Sequence, residues 1–167
     1  MRRPDARTLT LVSLMIALTT IATIVIQIPI PAVHGYFNLG DAILLTSSLL
    51  FGQLAGALTG GLGSMLADLL TGYAHYAPVT LIVKGLAGWL AAFLFKKTRR
   101  PLPSALGGGI LMAAGYFLYE TVLYGAAVAL TSFGINLIQG ILGALMAYFL
   151  YKTMHASGVA GRLQKGR

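Results

Sequence analysis

GYFNLGD (residues 35–41), SSLLFGQLAGALTGGLGSML (47–66), ADLLTGYAHYAP (67–78) and VTLIVK (79–84) carry three ionisable side chains, Asp41, Asp68 and Lys84, within apolar segments that are otherwise uncharged. Charge in such surroundings marks a functional site in a membrane. Gly52, Gly56 and Gly60 recur every four residues and give one smooth helix face, which suits close helix packing. No strand precedes these glycines and no Lys-Ser/Thr ending follows them, so helix packing is favoured over a phosphate-cradling loop. Ser64 stands in GLGSML, outside the G-x-S-x-G pattern of a nucleophile elbow. No H-E-x-x-H occurs either, and no catalytic activity is expected.

The solvent around this stretch follows from composition. Of 167 residues, 57% are hydrophobic and 10% charged, and mean hydropathy is +0.80. Soluble domains carry roughly 25% charged residues, so this is an integral membrane protein. There is no cysteine, hence no disulfide or thiolate metal site. The net charge of +8 does not point to nucleic acid, because eleven of the twelve Lys and Arg residues lie in three clusters. These are Arg2, Arg3 and Arg7; Lys96, Lys97, Arg99 and Arg100; and Lys152, Arg162, Lys165 and Arg167. By the positive-inside rule all three are cytoplasmic.

Parity then sets the number of crossings. An even number must separate successive clusters, which predicts a single domain, residues 1–167, built as an all-α bundle of six transmembrane helices with both termini cytoplasmic. The expected helices cover 8–27, 40–52, 54–72, 78–96, 103–130 and 133–152, the second of them short. The first apolar run is longer than a signal peptide's and lacks a small-x-small cleavage site, so it reads as an uncleaved helix. Ser13 and Ala17 form a small-xxx-small pair on it, for packing within the chain or against a partner. IPIPAVHGYFNLG (28–40) cannot be a regular helix, and TGYAHYAP (71–78) is a second external loop. His34, Tyr36, Phe37 and Asn38 of the first loop can act as a lid, and Tyr73, His75 and Tyr76 are expected on the outside. His34 and His75 have no nearby carboxylate partner, so no metal or other cofactor is expected.

Depth along the helices gathers the polar groups. Asp41 is placed at the outer rim, Asp68 one turn below the outer end of the third span, and Lys84 two turns below that of the fourth. Glu120, with Tyr116 and Tyr119 nearby, lies in the outer half of the fifth, and Asn136 and Gln139 begin the sixth. Together they describe a polar cavity open to the outside. Two readings of its charges stay open: Asp68 and Lys84 neutralise each other, or both face a ligand.

GYFNLGD, the small-residue helix, DLLTGYAHYAP and Lys84 resemble the substrate-binding S components of energy-coupling factor (ECF) transporters, the vitamin importers of prokaryotes. The resemblance covers most of the chain and is closest to the subgroup of hydroxymethylpyrimidine and pyridoxine-type carriers. It implies a non-catalytic subunit in the prokaryotic plasma membrane that captures a small water-soluble vitamin or precursor at the outer face. It also implies partners: a transmembrane coupling subunit with two ATPases, met by small residues of the first helix, here Ser13 and Ala17. The expected ligand contacts are Asp68, Lys84, Glu120, Asn136 and Gln139, with Tyr116, Tyr119 and Trp89 as walls and His34, Tyr36, Asn38 and His75 from the loops. The alternative is a self-sufficient proton-coupled carrier using Asp68 or Glu120, against which stands the lack of an internal repeat.

Overall fold

The computed structural model describes residues 6–30 and 35–164. Its elements are α1 (Ala6–Val25), β1 (Gln27–Ile30), β2 (Gly35–Asn38), α2 (Gly40–Phe51), α3 (Gln53–Leu70), α4 (Ala77–Thr98), α5 (Pro101–Tyr124), α6 (Ala126–Ala156) and α7 (Val159–Gln164). Helices close their backbone hydrogen bonds internally, which is what a chain this apolar needs where water is absent. Among the described residues α1, α4, α5 and α6 are long and apolar enough to cross a membrane.

The axis of the bundle is α2. Eleven of its twelve residues are buried, and α1, α3, α4, α5 and α6 all pack against it. At about 1.5 Å per residue it is only about 18 Å long, too short to cross alone. Gly52, at φ +84°, turns the chain straight into α3. The glycines then set the spacing between helices. A Cβ on Gly56 or Gly60 would strike the backbone carbonyls of Gly88 or Lys84, so α3 and α4 meet backbone to backbone. Gly109 and Gly140 do the same for α5 and α6. Leu44 and Leu45 of α2 fill the centre against Ala91, Ala105, Ala144 and Ala147. Leucines and isoleucines that point outward, such as Leu14, Ile21, Leu118 and Ile138, suit a lipid-facing surface.

Three features differ from the sequence expectation. The break between the fifth and sixth helices falls at Gly125, where φ is +84°, instead of at 131–132, so α5 is shorter and α6 starts seven residues earlier than 103–130 and 133–152 would have it. A single glycine in a continuous apolar run is the whole signal for that turn. The segment after α1 is an antiparallel hairpin that pairs Gln27 with Asn38 and Pro29 with Tyr36. Finally, α7 follows the left-handed Gly158 and lays Ala160 against Val12, Leu50 and Phe51, closing the end of the bundle that carries Lys96, Lys97, Arg99, Arg100 and Lys152.

Candidate functional site

At the other end, the hairpin and four helices line a narrow polar cavity of about 40 Å³, open at its mouth. Each element presents residues one helical turn apart. Ser64 and Asp68 come from α3, Thr80 and Lys84 from α4, Tyr116 and Glu120 from α5, and Ser132, Asn136 and Gln139 from α6. Tyr36 and Asn38, two apart on β2, reach in from above, with Tyr73 and Tyr76 beside them.

Two networks organise these groups. In the first, Lys84 Nζ lies 2.8 Å from Asp41 Oδ1. Gln139 Nε2 donates to the other oxygen of Asp41, while Gln139 Oε1 accepts from the backbone N–H of Asn38 at 2.9 Å. The hairpin is thereby fixed to α6 and, through Asp41, to α2. In the second, the Tyr36 hydroxyl donates to Asp68 Oδ1, Tyr76 donates to Glu120 Oε1 at 3.1 Å, and the Tyr116 and Thr80 hydroxyls are 2.9 Å apart. Burial and the Asp68 carboxylate push the Tyr36 phenol well above its usual range, so it stays a donor.

Several buried acceptors on the cavity wall are not fully used. Asp68 Oδ2, Glu120 Oε2 and Ser64 Oγ have no hydrogen bond of normal geometry, although the Thr80 and Ser132 hydroxyls stand beside the two carboxylates. With the Ser64 hydroxyl, these carboxylates give the cavity wall hydrogen-bonding capacity beyond the pairs named above. Lys84 does not answer them, since Asp41 already holds it.

Of the expected contact residues, Asp68, Lys84, Glu120, Asn136, Gln139, Tyr116, Asn38 and Tyr36 line the cavity together. Tyr119 stands behind that wall and donates to the His75 carbonyl at 2.9 Å, while His75 is exposed, its ring tilted against that of Tyr76. Trp89 is displaced from the site. Five residues beyond Lys84 it is turned about 140° round α4, where it is 41% exposed and stacks on Phe93. His34 lies outside the described residues. The charge pairing is also corrected: Lys84 meets Asp41 and not Asp68, and Asp41 is 2% exposed, not a rim residue. Tyr76, expected outside, is buried against Tyr116. Ser64, Thr80 and Ser132 went unassigned; each stands three or four residues from an expected contact, which is the signal that would have found them.

The family model for the ECF-type riboflavin transporter S component matches residues 5–156. The chain belongs to this family. This S component is 30% identical to the thiamine precursor transporter HmpT of Lactococcus lactis subsp. cremoris over 166 residues, 99% of this chain and 98% of that one. It is 38% identical over 142 residues to an uncharacterised protein in a gap 3' region of Pyrococcus woesei, covering 81% of this chain and 95% of that one. The S component is thus a multi-pass all-α membrane protein and the substrate-binding subunit of a transporter, not an enzyme. No group of three or more His, Cys, Asp or Glu side chains that would hold a metal exists among its described residues.

Proposed function

We propose that the S component captures a small, donor-rich heteroaromatic vitamin precursor, of the hydroxymethylpyrimidine or pyridoxine kind, and delivers it with an ATPase module. The carrying observation is the pair of buried carboxylates, Asp68 and Glu120, on the wall of a cavity whose one ammonium is neutralised by Asp41. Such a wall favours hydroxyl and amino donors and repels multiply charged anions. The tyrosines around it, Tyr36, Tyr73, Tyr76 and Tyr116, provide aromatic faces for a ring. A transported thiamine precursor in the Lactococcus relative accords with this choice.

In this reading the membrane is the prokaryotic plasma membrane, crossed six times, with the hairpin and α2 together forming the second crossing, α3 the third, and both termini inside. The hairpin closes the outer end through Tyr36 and Asn38. Ser13 and Ala17, both exposed on α1, form the face that meets the transmembrane coupling subunit and its two ATPases. Mass spectrometry of a small molecule copurifying with the protein tests the ligand class: an amino- or hydroxyl-bearing pyrimidine or pyridine is expected, and a phosphorylated or polyanionic compound would refute it. Uptake by proteoliposomes containing the S component without any ATPase would show a self-sufficient carrier instead.

A further inference from the structure

A second cavity, of about 220 Å³ and open to solvent, lies at the basic end of the bundle, where α2 turns into α3 beside the end of α4. Its floor and sides are Leu49, Leu50, Ala92 and Phe95, and its polar groups are Ser48, Gln53, Lys96 and Arg99. Gln53 and Asp68 begin and nearly end the same helix, so about 22 Å separates this cavity from the polar one. It holds no part of the vitamin site.

The charges around it are not balanced within the described chain. The acidic side chains among the described residues are Asp41, Asp68 and Glu120, all at the opposite end. Neighbouring cations have other contacts: Lys97 sits 4.7 Å over the Phe93 ring and Lys152 5.4 Å over the Tyr148 ring. Lys96 and Arg99 instead converge on the cavity. Arg99 does so from a backbone position that suits glycine. It ends α4 at φ +55°, the one described non-glycine residue with positive φ. Glycine is usual at such a helix end, and a side chain kept there against its conformational preference points to a use for it.

We propose that this cavity binds the phosphate headgroup of an anionic phospholipid. An apolar pocket beneath two cations fits an amphiphile, the phosphate on Lys96 and Arg99 with Ser48 and Gln53 beside it, and the glycerol and upper acyl chain on Leu49 and Phe95. The same cations would also attract free phosphate, but that anion has no use for the apolar walls.

Native mass spectrometry of the full chain, in detergent doped equally with phosphatidylglycerol and phosphatidylcholine, tests this. The wild type retains one phosphatidylglycerol in preference to phosphatidylcholine. Lys96→Gln and Arg99→Gly each lower that retention about fivefold, whereas Lys152→Gln leaves it unchanged. Arg99→Gly separates binding from folding, because glycine accepts the backbone and its melting temperature holds or rises while lipid is lost. Equal retention of the two lipids, or an equal loss in Lys152→Gln, overturns the site. Displacement of the lipid by millimolar inorganic phosphate assigns it to free phosphate and overturns the lipid.

Discussion

Lys84 Nζ stands 2.8 Å from Asp41 Oδ1, with both side chains about 3% exposed, so the buried cation of α4 is held by the first turn of α2. Removing one partner leaves the other charged and alone in a dry interior, which costs about 3–5 kcal/mol. Asp41→Asn and Lys84→Met should each lower the melting temperature in detergent markedly. The double variant should recover most of the loss, because the pair is removed as a unit. A milder effect of Asp41→Asn than of Asp68→Asn on stability would contradict the pairing.

Tyr36 ties the hairpin to Asp68. Tyr36→Phe keeps the ring against Tyr73 and removes only the hydroxyl. A hydrogen bond to a charged group is worth about 1.5–3 kcal/mol, so ligand dissociation should accelerate by at least tenfold while the fold is kept. Stopped-flow displacement reads this directly, and an unchanged rate means the hairpin is not held by this contact.

Close approach of α3 and α4 depends on a missing side chain at Gly88, where a Cβ would strike the Gly56 backbone. Gly88→Ala should cost about 1–3 kcal/mol through overpacking. Gly134→Ala is the control, since nothing lies within 4 Å of a Cβ there. Equal melting temperatures for the two variants would mean that α3 and α4 are not in contact at this point.

Ala17 is exposed on α1, away from the cavity. Ala17→Leu should leave ligand binding by the isolated protein unchanged and abolish uptake with the energising module, because added bulk prevents close helix approach. Persisting uptake would place the docking face elsewhere.

What the sequence conveyed, and what it did not, divides along one geometric line. Charge clusters and apolar lengths report height along the membrane normal, so the long helices and the level of Asp68, Lys84 and Glu120 were legible. Angle around each helix was not. In a bundle exposed to lipid the apolar pattern has no solvent face to mark rotation, so nothing in the sequence chose Asp41 over Asp68 as the partner of Lys84 or turned Trp89 outward. The Gly125 turn was hidden for a related reason: AAVAL (126–130) continues the apolar run beyond it, and the polar pair Thr131 and Ser132 draws the break later in the sequence. The hairpin could be read as non-helical from Pro29 and Pro31, but its pairing rests on long-range bonds such as that between Asn38 and Gln139.

In the proposed binding mode Asp68 and Glu120 accept hydrogen bonds from a small ring. Calorimetric titration of the isolated protein with hydroxymethylpyrimidine and with pyridoxine, for the wild type, Asp68→Asn and Glu120→Gln, tests it most directly. The wild type should bind at least one of the two without any ATPase. Each variant should lose about 1–3 kcal/mol of that binding with its melting temperature little changed. Variants that bind as the wild type does, or a wild type that binds neither compound, would contradict it.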